Sequence, residues 1–153
     1  MPPRLTMICG LPGSGKSHWI EQHKQEFARV IPDFFKNALF NCSDSGRKFW
    51  RGRSYPELIV DLRSGKQCCI ADVIFCCVEA RDAAEKLLRE AVPSIEISWI
   101  AFENKPELCE RNVRHDHEHK ERSLDHRLAT IRELTGVYTL PPSAIVLPVG
   151  NPA

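Results

Sequence analysis

Gly10-Leu11-Pro12-Gly13-Ser14-Gly15-Lys16-Ser17 has the form G-x-x-x-x-G-K-[ST], the pattern of a phosphate-binding loop. The short apolar run Leu5-Thr6-Met7-Ile8-Cys9 before it suits a buried parallel strand, and Ser17 to Lys24 after it can open a helix. Strand, glycine loop and helix are the context the motif requires. Polyphosphate carries dense negative charge, and successive backbone N–H groups at a helix N-terminus form a concave cradle for it. Gly10, Gly13 and Gly15 let the backbone bend and approach closely, with Leu11, Pro12 and Ser14 completing the wrap. Lys16 places an ammonium near the β- and γ-phosphates, and the Ser17 hydroxyl is positioned for Mg²⁺. His18, the last residue assigned to the nucleotide site, offers no second hydroxyl for the α-phosphate. An ordinary glycine-rich strand-to-helix turn is the plain alternative.

With 153 residues the chain is one domain's worth, enough for a single three-layer core, so residues 1–153 are read as one unit. Lys and Arg number 21 against 20 Asp and Glu, so no global field draws the protein to nucleic acid or an anionic membrane, and any basic site must be local. Met1-Pro2-Pro3-Arg4 leads straight into the first strand without a signal segment, and no apolar run approaches the roughly 20 residues of a membrane span. A soluble, cytoplasmic protein is expected. Seven cysteines form no C-x-x-C pair and sit mostly in apolar runs, which predicts buried thiols in a reducing compartment.

Working outward, Trp19, Ile20, His23 and Phe27 give a helical stripe from Ser17 to about Ala28. Arg29 to Asp33 is a short strand ended by an acid. Strand C-termini in a parallel sheet face the ligand crevice, so Asp33 either looks toward the phosphate loop or caps a helix at Phe34. A helix is expected over Tyr55–Arg63. The strand Gln67–Asp72 again ends in an acid, the shape of a strand whose carboxylate orients Mg²⁺ beside the loop. A helix over Val78–Val92, a strand over Ile95–Phe102, helical signals from Pro106 to Arg114 and from Leu124 to Tyr138, and a final buried strand over Ala144–Val149 follow. Five strands alternating with helices make a parallel α/β sandwich.

Two clusters remain. Arg47, Lys48, Arg51 and Arg53 surround Phe49 and Trp50, a patch that either holds an anionic or nucleic-acid acceptor or is a solvated loop with its aromatics in the core. His115-Asp116-His117-Glu118-His119 invites a metal reading, but H-E-x-x-H is absent, and a solvated charged linker is the expected state.

On Gly10 to Ser17, Asp33, Asp72 and Cys109-Glu110-Arg111-Asn112-Val113-Arg114, the chain resembles the small P-loop kinases of the adenylate-kinase-like group. It is most similar to polynucleotide 5′-hydroxyl kinases and related AAA-type small kinases. The resemblance covers nearly the whole chain. It implies strand order 2-3-1-4-5, MgATP as donor, Asp33 as base toward an acceptor hydroxyl, Ser17 and Asp72 at Mg²⁺, and lid arginines among Arg111, Arg114 and Arg122. The lid is expected over about residues 105–123. The activity so implied is phosphoryl transfer from MgATP to a polynucleotide 5′-hydroxyl or a small molecule. A nucleotide-binding regulator or slow ATPase, and an RNA-binding module using the Arg47–Arg53 patch, are the competing classes.

Overall fold

Five strands pair side by side, all parallel, in the order β2-β3-β1-β4-β5. They are β1 (Arg4–Cys9), β2 (Arg29–Ile31), β3 (Gln67–Ala71), β4 (Glu96–Phe102) and β5 (Ile145–Leu147). The computed structural model describes residues 2–35, 45, 47–116 and 123–150. The helices are α1 (Lys16–His23), α2 (Tyr55–Arg63), α3 (Val78–Ala91), α4 (Pro106–Asp116) and α5 (Leu124–Thr135) among the described residues. Order and class are those read from the sequence.

Period-two alternation explains the three layers, because successive side chains of a strand face opposite sides of the sheet. Leu5, Met7 and Cys9 join Cys68, Ile70, Trp99 and Ala101 in the larger apolar cluster. Ile8, Cys69, Ala71, Ile100 and Phe102 join Ile20 of α1 in the other. Adjacent Cys68 and Cys69 thus serve opposite layers. A central strand buried on both faces can be apolar throughout its run, as β1 is from Met7 to Cys9.

Several boundaries differ from expectation for local reasons. α1 stops at His23 and gives way to one 3₁₀ turn, because Phe27 N–H already closes on Lys24 O at 3.3 Å and Ala28 N–H on Gln67 O at 2.8 Å. β5 is a three-residue edge strand, and Ile145 and Val146 are 64% and 45% exposed, not buried. Cys9, Cys68, Cys69, Cys76 and Cys109 are buried free thiols, as read. Cys77 departs from that reading: it is disulfide-bonded. No helix among the described residues is long and apolar enough to cross a membrane.

α4 and α5 pack on each other, tied by Arg127–Asp116 at 2.9 Å and Arg132–Glu110 at 3.2 Å. Ser123 caps α5, its Oγ accepting from His126 N–H at 3.1 Å. Arg81 of α3 is almost wholly buried and spends its guanidinium on Phe75 O at 2.7 Å and Thr139 Oγ1 at 3.0 Å.

Candidate functional site

The loop from Gly10 to Ser17 leaves the end of central strand β1 and enters α1. Gly13 sits at φ +80°, and a Cβ there would lie 2.6 Å from Cys109 O and 2.9 Å from Val113 Cγ2 of α4. Both backbone and packing therefore demand glycine. Gly13→Ala should destabilise the fold by about 1–3 kcal/mol through overpacking and left-handed strain, read as a lowered Tm. Gly15 is the N-cap of α1, and no side chain caps that end, so the first-turn amides carry the helix's partial positive charge without an acid beside them. This uncapped end fits the phosphates of a nucleotide.

Lys16 Nζ donates to Gly10 O at 2.7 Å and to Leu11 O at 2.9 Å, so the loop's own carbonyls hold the ammonium. Burial lowers its pKa below the ordinary lysine value, against the opposing pull of Cys76, Cys109, Asp72 and Cys9. Ser14 is fully buried and its Oγ has no hydrogen-bond partner among the described residues, while Ser17 and His18 are exposed at the start of α1.

Asp72 follows β3 directly. Its carboxylate is buried, with Oδ2 accepting from Phe35 N–H at 2.7 Å and Oδ1 from Ile74 N–H at 2.9 Å. Burial pushes its pKa up to about 7; the two amides oppose this, Asp33 adds to it, and Lys16 opposes it. Asp72 therefore feels the charges of both Asp33 and Lys16 beyond the strand ends. A carboxylate held at a strand end in this way has the chemistry to orient a hydrated Mg²⁺.

Asp33 is partly buried and adopts φ +54°. A non-glycine residue in the left-handed region costs on the order of 1 kcal/mol and persists where surrounding bonds enforce it. Here Phe34 N–H binds Ala71 O at 3.0 Å and Phe35 N–H binds Asp72, which locks the turn to the end of β3. That bracing role of Asp72 was not visible in the sequence, where it read only as a metal-orienting acid.

Arg111 and Arg114 are exposed on α4, and Arg122, His117, Glu118 and His119 lie outside the described residues. His115 and Asp116 continue α4 instead of starting a linker. Among the described residues no group of three or more His, Cys, Asp or Glu is placed to hold a metal. Sequence reasoning missed Asn112, whose Nδ2 donates to Gly13 O at 3.0 Å and to Gly150 O at 2.8 Å. Position in a polar helix gave no signal for a bond to the loop.

The basic-aromatic patch divides. Phe49 is fully buried and stacks on Phe34 at 4.7 Å, whereas Trp50 is 53% exposed with the Arg51 guanidinium 4.9 Å over its ring. Arg47, Arg51 and Arg53 are exposed and Lys48 is half-buried. Arg53 N–H binds Phe34 O at 2.9 Å, and a Cβ on Gly52 would lie 1.8 Å from the Phe34 ring. The patch is thus mounted on the residue that follows Asp33. Gly52→Ala should force that ring aside and cost about 1–3 kcal/mol or more, checked by denaturant unfolding.

A family profile described as "AAA domain" matches residues 5–141. Uncharacterized protein R277 of Acanthamoeba polyphaga mimivirus is 27% identical over 127 residues, spanning 82% of this chain and 81% of that protein. Among solved structures, APE1195 superposes with a TM-score of 0.62 at 18% identity, covering 96% of this chain and 86% of that one. A gluconokinase from Sinorhizobium meliloti 1021 gives 0.53 at 16% identity, covering 99% and 85%. A sugar kinase from Janibacter sp. HTCC2649 gives 0.52 at 19%, covering 99% and 88%. These structural likenesses show a shared fold.

Proposed function

The chain belongs to the AAA domain family, and from that premise we propose that it is an ATP-dependent kinase transferring the γ-phosphate of MgATP to a hydroxyl acceptor. The observation that carries the reading is Asp72, held at the end of β3 beside the phosphate-loop strand β1 and within electrostatic reach of both Lys16 and Asp33. Two proteins of the same fold are named as kinases of sugars, which agrees with it.

The chemistry follows from the residues. Loop amides and Lys16 hold the donor phosphates, with Lys16 exchanging its carbonyl partners for phosphate oxygens. Ser17 and Asp72 would hold Mg²⁺, which when bound neutralises charge on the β- and γ-phosphate oxygens. Asp33 accepts the proton of the attacking hydroxyl, in a turn fixed by Asp72. Arg111, Arg114 or Arg122 supplies positive charge as transfer proceeds, in a lid over about residues 105–123. Its described helix is anchored: Cys109 and Val113 are fully buried, packed against Gly13 of the loop.

Trp50, with the Arg51 guanidinium over its ring, and the cationic residues beside it suit an acceptor that is anionic and offers a flat ring, such as a polynucleotide 5′ end. The test is turnover of radiolabelled ATP against oligonucleotide 5′-hydroxyls, nucleosides and sugars. Asp33→Asn is expected to lower kcat about 10²–10⁴-fold with ATP affinity unchanged. Full activity in that variant would remove Asp33 from the base role. Absence of any phosphorylated acceptor, with steady ATP hydrolysis, would leave a slow ATPase instead.

A further inference from the structure

Asn112 reaches two chain segments far apart in sequence. Its Nδ2 donates to Gly13 O in the phosphate loop and to Gly150 O beyond β5, while its Oδ1 is buried without a partner. Two carbonyl acceptors fix the amide's orientation, since a flipped side chain would face oxygen to oxygen. From this geometry we infer that Asn112 is a positioning residue for the phosphate loop, holding the Gly13–Ser14 peptide in its anion-binding orientation.

The physical reason lies in the planarity of that peptide. The carbonyl of Gly13 and the N–H of Ser14 belong to one plane, and the N–H is closed onto Leu11 O at 3.1 Å. Fixing the carbonyl toward Asn112 therefore also holds the N–H on Leu11 O. Gly13 is a glycine at positive φ, the residue type for which rotation of the adjoining peptide is least hindered sterically. A flip would set the Gly13 carbonyl oxygen against Leu11 O and undo the turn that shapes the loop. The side chain that prevents it rises from α4 between exposed Arg111 and buried Val113, so the helix carrying the lid arginines is keyed to the loop through one amide. The competing role is purely structural: a tether that keeps the chain after β5 on the domain and leaves the loop indifferent.

This inference rests on the phosphate-binding reading of the loop, and its test separates the two. Amide hydrogen exchange is measured on nucleotide-free full chain for wild type, Asn112→Ala, Asn112→Asp and Asn112→Gln, together with binding of MgATP and of tripolyphosphate. Asn112→Ala is expected to speed exchange of peptides covering Gly10–Ser17 about tenfold, with β1 and β3 unchanged, and to weaken tripolyphosphate binding about tenfold. Asn112→Asp, which sets a carboxylate against two carbonyl oxygens, should weaken it further, and Asn112→Gln should recover part of the loss. Exchange in the loop within twofold of wild type, or exchange accelerated equally in every strand, overturns the positioning role whatever happens to Tm. Lys16→Ala serves as the control for the parent reading. If it binds MgATP and tripolyphosphate as wild type does, the phosphate site fails, while loop exchange still decides the clamp.

Discussion

Lys16→Ala is expected to lower turnover by roughly 10²–10³-fold, the loss of about 3–4 kcal/mol that follows removal of one preorganised charge-stabilising donor. The fold should survive. Among the described residues Lys16 makes no ion pair with an acid; its partly buried ammonium is held by Gly10 O and Leu11 O, and burial lowers its pKa. Removing it therefore relieves a desolvated charge while freeing two carbonyls, and these effects oppose each other. Single-turnover transfer and thermal unfolding, measured on the same variant, give the check. Turnover within a fewfold of wild type would refute the phosphate-site reading, and collapse of Tm would mean that Lys16 acts chiefly as an internal brace.

Asp72→Asn carries the second large effect. A buried carboxyl with a pKa near 7 is only partly ionised at neutral pH, and the ionised form is the one that orients Mg²⁺. Mg²⁺-dependent turnover in wild type should climb as pH rises through about 7, and Asp72→Asn should lose that rise along with on the order of 100-fold in rate. Stability moves the other way. The folded pKa lies above the unfolded value of about 4, so the folded state binds the extra proton between the two. The contribution is full below about pH 4 and is lost as pH rises to about 7. Asn does not titrate, so the variant's Tm should lack the decline that wild type shows between pH 5 and pH 8. Parallel Tm curves for the two proteins across that range would show that Asp72 does not titrate there.

The sequence made legible what depends on local chemistry. Gly10 to Ser17 carries its own backbone and charge requirements, and the alternation of apolar runs with helical stripes leaves few topologies. Asp33 and Asp72 could be placed at strand ends because a strand must stop somewhere and an acid stops it. The remainder depended on three-dimensional neighbours. Phe49 and Trp50 are adjacent letters of one patch, yet only Phe49 has the Phe34 ring to stack on. Ile145 and Val146 look like core residues, but edge position leaves them exposed. Asn112 is one polar residue among many until Gly13 O and Gly150 O come within reach.

Strand order also sets a timetable for synthesis. β1 is made first and lies at the centre of the sheet, where Arg4 to Ile8 pair with Gln67 to Ala71 on one side and with Glu96 to Ile100 on the other. No strand adjacent to it in sequence pairs with it. At roughly 5–20 residues per second, its second partner leaves the ribosome several seconds or more after β1 itself. Through that interval an apolar strand and the loop it carries have no sheet to enter, and closure must then join distant segments at once. The loop proposed to bind phosphate thus follows the first-made of these five strands and is among the last assembled, so a nucleotide should stabilise the finished domain without speeding the step that forms it.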